Sequence, residues 1–417
     1  MTNLRILSVV LLLATTASAQ PSAPAPPTGE PSVAPADPPP PAPARKAPAT
    51  ALPRETTIEA ALDAPPITGS AFGGYGELTL NAPSNSDAVI DFRRFVLFFG
   101  HDFTDRLRFY SELEVEHAIS SATDAGEVEV EQGYLDGLIS RRFNLRGGLV
   151  IMPMGIVNVY HEPPSFHGVD RPDVDQFVIP STWREPAVGI FGELTEGLRY
   201  QLYLVNGFNA NGFTAEAAVR EGHQEAQLAH AADAGVIARV DYEPVLGTVI
   251  GVSAYGASAG NTLTSAVGHV PVGMFEADLR YHRGGFSARG ELAVLLIGDT
   301  EALNRALLAG DDEQQAAGPV AARSQGGYAE VAYDVLRVLA PDTDHALDVF
   351  SRFDYADTQA HVLGGLEART EFRRTSLVGG VVYRPIPQIA LKADYRRRWL
   401  GSGDRFDELA TAITWLF

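Results

Sequence analysis

From residue 70 onward, large apolar and polar side chains trade places at every second position over short stretches. In Leu107-Arg-Phe-Tyr-Ser-Glu-Leu-Glu-Val-Glu-His117, an extended chain puts Leu107, Phe109, Leu113 and Val115 on one face. Arg108, Glu112, Glu114 and Glu116 fall on the other, because successive strand side chains point to opposite sides. A sheet with one greasy face and one face of stacked charge does not suit a soluble core. It suits lipid on one side and a water-filled lumen on the other. Segments of this texture recur at 72–81, 90–101, 107–117, 127–138, 144–152, 187–194, 198–206, 233–243, 248–257, 270–282, 286–297, 325–336, 346–356, 371–384, 388–399 and 406–417. The pattern predicts an all-β fold, a transmembrane antiparallel β-barrel of about 16 strands over 70–417.

The connections alternate too. Those at 103–106, 140–143, 195–197, 244–247, 283–285 and 385–387 are short, whereas those at 153–186, 207–232, 298–324 and 358–370 are long. Short periplasmic turns and long outer loops are the asymmetry of bacterial barrels, and they place both termini in the periplasm. The chain closes on Leu409-Ala-Thr-Ala-Ile-Thr-Trp-Leu-Phe417. Leu409, Ile413, Trp415 and Phe417 share the lipid side, which predicts pairing beside the strand around 74–80. A terminal aromatic on an alternating strand resembles the insertion signal read by the outer-membrane barrel assembly machinery. Tyr383, Tyr395, Trp399, Trp415 and Phe417 are the expected membrane-interface aromatics.

The N-terminus belongs to a different regime. Residues 1–19 carry Arg5, an apolar run from Ile6 to Ala14 and Ala17-Ser18-Ala19, which reads as a secretory signal peptide cut after Ala19. The apolar run is too short for the roughly 20 residues of a spanning helix, and no cysteine follows to carry a lipid anchor. Residues 20–69 are rich in Pro and Ala and cannot bury enough surface to fold, so they read as a disordered periplasmic segment. Extended as polyproline II, the Pro/Ala stretch from 21 to about 53 would reach on the order of 100 Å.

Composition narrows the functional classes. There is no cysteine, which removes disulfides, thiolate metal sites and cysteine nucleophiles. Of the residues, 45% are hydrophobic and 20% charged, yet no later stretch reads as a membrane helix. A barrel resolves this, because its lipid-facing residues are spread singly along strands. A net charge of −20 lacks the basic footprint that a nucleic-acid partner requires. Lys46 and Lys392 are the only lysines. Arginine suits bidentate anion contacts, but a GC-rich genome equally favours it.

Three segments carry a family likeness: His101-Asp-Phe-Thr-Asp-Arg-Leu107, Gly147-Gly-Leu-Val-Ile-Met-Pro-Met-Gly155 and Thr182-Trp-Arg-Glu-Pro-Ala-Val-Gly-Ile-Phe-Gly192, the last running on through Gly197-Leu-Arg-Tyr-Gln-Leu-Tyr-Leu-Val-Asn-Gly207. Together they resemble the phosphate-selective porin O and P family over roughly 72–417. The resemblance implies a 16-stranded barrel, usually a homotrimer, whose third outer loop folds inward to narrow the pore. Strand counting assigns that loop to 153–186. Family members that select phosphate line the channel with arginine and lysine, so the near absence of lysine argues for carrying over the fold and passive-channel role without the substrate.

On this reading the constriction residues are Asp170, Arg171, Asp173, Asp175, Arg184 and Glu185, with Arg171 and Arg184 the first choices for solute contact. The pore-lining residues are Arg108, Glu112, Glu114, Glu116, Glu129, Arg239, Arg280, Arg289, Arg352, Arg373, Arg396 and Arg398. Such charges set selectivity by rings or transverse fields, or merely hydrate the lumen and pair across strands at about 0.2–1 kcal/mol each. Arg397 points opposite to Arg396 and Arg398, toward lipopolysaccharide phosphate at the rim. The alternating carboxylates of Asp170-Arg-Pro-Asp-Val-Asp175 lack the Gly and the bidentate Glu of an EF-hand, and mutual ion pairing is the reading adopted. No metal or other cofactor is assigned. The chain has no His-Glu-x-x-His or Gly-x-Ser-x-Gly motif. Ser111 and His117 share the outward face but lie about 20 Å apart along one strand, so no catalytic residue is assigned either. The sequence therefore reads as an outer-membrane porin passing small polar or ionic solutes, contacting outer-membrane lipid and lipopolysaccharide. The alternative is a non-conducting barrel that recognises a partner through its long loops.

Overall fold

The computed structural model describes residues 69–121, 125–260, 267–310 and 312–417. The expected signal peptide (1–19) and the proline-rich segment (20–69) up to residue 68 lie outside them. The strands are β1 (Ser70–Pro83), β2 (Val89–Thr104), β3 (Leu107–Glu116), β4 (Val128–Ser140), β5 (Phe143–Ile151), β6 (Arg184–Thr195), β7 (Leu198–Asn206) and β8 (Ala234–Val245). They continue as β9 (Thr248–Ser258), β10 (Pro271–Arg283), β11 (Phe286–Ile297), β12 (Arg323–Asp334), β13 (Ala346–His361), β14 (Arg373–Ile386), β15 (Ile389–Leu400) and β16 (Arg405–Leu416). Each pairs antiparallel with its sequence neighbours, and β1 pairs with β16, so the sixteen strands form one closed barrel. No helix among the described residues is long and apolar enough to cross a membrane; strands are the spanning elements of this fold.

Two-residue turns at 105–106, 141–142, 196–197, 246–247, 284–285 and 387–388 mark one end of the barrel, together with the eleven-residue β12–β13 connection at 335–345, and the longest connections, at 152–183, 207–233 and 298–322, leave from the other. Gly197 and Gly247 take φ of +72° and +84°, and a Cβ there would sit 2.6 Å from the Glu243 carbonyl oxygen and 2.3 Å from that of His282. Only glycine supplies that turn conformation without strain.

The seam closes through main-chain pairing from Tyr75↔Leu416 to Pro83↔Glu408. It is completed by Phe417 N–H to the Gly74 carbonyl at 2.9 Å and Gly74 N–H to the Phe417 carbonyl at 3.0 Å. Gly76 stands opposite Trp415, whose indole occupies the space a Cβ would need. Phe417 stacks on Phe95 with centroids 6.2 Å apart.

Burial is inverted relative to a soluble protein. Leu292 and Leu204 are 69% and 60% exposed, while Glu112 and Asp354 are fully buried. This is the alternation of the sequence with lipid and lumen in the places of core and water. Near the two-residue turns Phe103, Phe143, Tyr242, Phe286, Tyr333 and Phe417 face outward, with Tyr383 half-buried beside them. Tyr395 and Trp399 are exposed on β15, and the Arg397 guanidinium lies 5.8 Å from the Trp399 ring centre.

The long connections do more than decorate the mouth. Helix α1 (Ile156–Val159) and helix α2 (Asp173–Phe177) lie between β5 and β6, and helix α3 (Thr300–Leu307) lies between β11 and β12. Thr300, Leu303, Asn304 and Leu307 of α3 are buried, the i, i+3, i+4, i+7 stripe of a packed helix. Leu303 and Leu307 join Phe208, Phe213 and Val219 of the β7–β8 connection and Met154, Ile179 and Trp183 of the β5–β6 connection in one apolar cluster. The connections expected at 207–232 and 298–324 as outer loops thus also fill part of the barrel mouth. Trp183 anchors the cluster, stacked on Phe208 at 5.0 Å and edge-on to Tyr255 at 4.9 Å.

Candidate pore constriction

The β5–β6 connection begins Met152-Pro-Met-Gly-Ile-Val157, apolar and buried throughout. A stretch this greasy at a strand end must leave water, and here it turns into the barrel. Gly155 makes the turn at φ +79°, with a Cβ excluded by Ile179, Asp175 and Glu291 within 3.0–3.1 Å. Asn158 ties the two ends of the loop together. Its Nδ2 donates to the Met152 carbonyl at 2.8 Å, and its Oδ1 accepts from the Trp183 N–H at 2.7 Å.

From there the loop is clasped by strands far away in sequence. Ile156 N–H donates to Glu291 of β11 at 2.7 Å. Lys392 of β15 donates to the Pro163 and Gly168 carbonyls at 2.6 and 2.9 Å and sits 4.1 Å from the Phe166 ring centre. Val169 N–H reaches Asp394 at 2.6 Å. Asp170 accepts from Arg93 at 2.9 Å and from Asn81 at 3.1 Å, and pairs with Arg396 at 3.5 Å. Arg352 donates to the Asp170 carbonyl at 3.3 Å. Burial opposes charge on Asp170, but Arg396 and Arg93 prevail and hold its pKa down to about 2. Asp173 accepts from Arg398 at 2.5 Å and from Ser376 at 2.9 Å. Burial again works against its charge, and Arg398 and Arg396 lower its pKa nonetheless.

Two loop residues are left without such partners. Both Asp175 carboxylate oxygens lack a hydrogen bond, and burial raises its pKa to about 7. Arg171 makes no ion pair among the described residues, and its Nη2 has no hydrogen-bond partner. Burial lowers its pKa to about 10, with Arg94 and Arg220 adding repulsion. Arg184 and Glu185, by contrast, are committed. Arg184 donates to Glu129 and pairs with Glu225 at 3.2 Å, and Glu185 accepts the backbone N–H groups of Gln224 and Glu225 at 3.2 Å each. Both sit at the start of β6, where they pin the β7–β8 connection to the wall.

The wall carries charges of both signs. Glu112, Glu114, Glu116 and Glu129 face inward from β3 and β4, with Arg108 beside Asp102 at 3.4 Å. Inward from β13 to β15 come Arg352, Arg384, Lys392, Arg396 and Arg398, interleaved with Asp348, Asp354 and Asp394, of which Asp354 pairs with Arg352 at 3.0 Å and Asp348 with Arg384. Elsewhere the charges cancel locally: Arg239 meets Asp241, Glu276 and Asp278, Arg280 meets Asp241, and Arg289 meets Glu330. Arg373 corrects one expectation. It is exposed on the outer face, and the inward position belongs to Arg374, paired with Glu216 at 3.2 Å and lying over the Phe177 ring at 3.8 Å. A short 3-10 turn, Thr370–Phe372, precedes β14. Strand phase therefore starts at Arg373 rather than at Glu371.

Arg93 and Arg94 escaped the sequence pattern. A register shift opposite them, between Glu77 and Thr79, lets both reach the interior. Arg94 sits 3.7 Å from Glu77 and from Glu114. Two consecutive arginines within an alternating strand were the available signal. Ser111 donates to the Phe99 carbonyl, and His117 lies 2.8 Å from Asp91. At the long-loop end a cavity of about 540 Å³ lies among Gln176, Phe177, Glu216, Arg220, Arg369 and Phe372.

No family model matches the chain. An uncharacterized protein of Aquifex aeolicus is 35% identical to it over 354 residues, covering 84% of this chain and 80% of that one. The chain belongs to the family of that protein. Among solved structures, the Acinetobacter baumannii outer membrane channel DcaP has a TM-score of 0.55 at 10% identity and covers 84% of this chain and 97% of its own. Salmonella typhi OmpF in complex with daunomycin has a TM-score of 0.55 at 11% identity, with the same coverage. The trimer form of in-vitro folded Vibrio cholerae OmpT has a TM-score of 0.50 at 12% identity, over 84% of this chain and 99% of that one. At such identities the likeness is one of fold.

Proposed function

We propose that this protein is an outer-membrane porin through which small hydrophilic or ionic solutes diffuse passively. The observation that carries the reading is the inward loop set in a charge-lined closed barrel, which presents the unpaired Arg171 beside Arg94 and Arg220. Solutes would be sorted by size at the loop and by the charges of both signs on the wall. Removal of residues 1–19, a periplasmic tail, contact with lipopolysaccharide and recognition of the C-terminal strand by the assembly machinery belong to the same reading. So does a homotrimer, which the resemblance to the phosphate-selective porin O and P family and the trimeric form of the Vibrio protein support. The substrate label does not follow, because Lys392 is held by loop carbonyls.

A second reading has its own observation. Loop contacts reach β2 and β1 through Asp170 and β11 to β15 through Glu291, Glu330, Arg352, Ser376 and Arg398. A lumen spanned this fully would suit a non-conducting barrel that binds a partner through its external loops. Single-channel recording in planar bilayers separates the two. Stepwise conductance with mild cation preference in a salt gradient is expected, and Arg171→Ala should strengthen that preference while Arg184→Ala changes conductance by unseating Glu225. A stably inserted but silent barrel would sink the porin reading.

A further inference from the structure

We propose that Glu112, Glu131 and His161 form a site for a divalent transition-metal ion, of the zinc or manganese class, that fastens the inward loop to the barrel wall. The three side chains are fully buried, and one ligand atom from each lies within 4.8 Å of the other two. His161 comes from the loop, Glu112 from β3 and Glu131 from β4. The His161 Nε2 atom is 3.6 Å from Glu112 Oε2 and 3.4 Å from Glu131 Oε1.

Those separations decide between two arrangements. An imidazolium held by carboxylates closes to about 2.7–2.9 Å. Donor atoms on a tetrahedral ion at about 2.0–2.2 Å stand about 3.3–3.6 Å apart. The two distances from His161 match the second, and the two carboxylate oxygens lie within 4.8 Å of each other. The hydrogen bonding agrees, since His161 Nε2, Glu112 Oε2 and both Glu131 oxygens have no hydrogen-bond partner among the described residues. Leaving such groups buried and unmatched is costly.

The surrounding groups orient the ligands. His161 Nδ1 lies 3.3 Å from the Asn158 carbonyl, which fixes the proton on Nδ1 and leaves the Nε2 lone pair toward the carboxylates. The Tyr110 hydroxyl donates to Glu112 Oε1 at 2.5 Å and leaves Oε2 free. Glu131 is inward because of a bulge: Glu112 faces Gln132 and Leu113 faces Val130, so Glu131 is the extra residue. Bulges re-aim side chains in this way. One imidazole and two carboxylates suit zinc or manganese better than calcium, and three protein ligands leave a coordination position for water.

The test uses the full chain folded in detergent, dialysed against a chelator and titrated with zinc by calorimetry. The expected result is one ion per chain, with binding weakened at least about a hundredfold in His161→Ala and Glu131→Gln, beyond the effect typical of an outer-shell partner, and unchanged in Glu127→Gln. Heat-modifiable gel mobility verifies that each variant is folded. Glu112→Gln, which keeps an acceptor for Tyr110, serves as a third variant. Substituted cobalt should show the visible absorption of a low-coordinate site. Absence of saturable binding, or binding that the folded variants leave intact, overturns the proposal in favour of an ion-free His161–carboxylate cluster.

Discussion

Asp170 and Asp175 sit in one loop and respond to protons in opposite senses. Asp170 is held down to about 2 by Arg396 and Arg93, so its contribution to loop seating is present above the ordinary carboxyl pKa of about 3.9 and lost only as pH falls through about 2. Burial raises Asp175 to about 7, so its contribution is present at low pH and lost as pH rises through about 7. Glu291 and Asp354 add negative charge near it, and Arg171, Arg352 and Arg289 offset part of this. The loop should therefore be tightest in mild acid and loosen progressively from about pH 4 to about 7. Protease nicking within 153–183, followed against pH, should rise between about 4 and 7 in the parent, level off above about 7 and stay flat in Asp175→Asn; an identical rise in both would refute the assignment.

Among elements, the closing strand shows how local pattern and distant pairing meet. Removing Phe417 deletes two main-chain hydrogen bonds to Gly74, worth about 0.5–1.5 kcal/mol each, and a ring contact with Phe95 worth about 0.5–1.5 kcal/mol. The deletion should lower the urea midpoint of the folded barrel and cut its accumulation in the outer membrane; full accumulation would show that the terminal residue carries no assembly signal. The sixteen strands were legible because alternation is written locally, residue by residue. The clasp was not. Asp173 meets Arg398 across 225 positions and Lys392 meets Pro163 across 229, and no local pattern encodes such pairs. Arg373 shows the limit at strand ends, where a shift of one residue exchanges lumen for lipid. The bulge at Glu131 shows the same limit within a strand.

At the scale of the whole molecule, a protein with an apolar exterior still carries an apolar core, built where the long connections pack against inward-facing strand residues such as Tyr203, Ile237, Tyr255 and Met274. Trp183 joins the β5–β6 connection to Phe208 of the β7–β8 connection and to Tyr255 of β9. Trp183→Ala should cost about 3–5 kcal/mol, taken mostly from loop seating because the strand ladder is untouched. Unitary current should then grow and flicker, with the barrel remaining heat-modifiable; an unchanged current would mean that the loops do not set the bore.

The chain has two amines on side chains, and one of them, Lys392, is 97% hidden with its Nζ bonded to two loop carbonyls. An amine-reactive ester should accordingly spare Lys392 for as long as the loop stays down. Peptide mass mapping of Lys392 acylation then becomes a clock for loop lifting that needs no introduced label. Modification as fast in the folded barrel as in the urea-unfolded chain would mean that the lid over it is never shut.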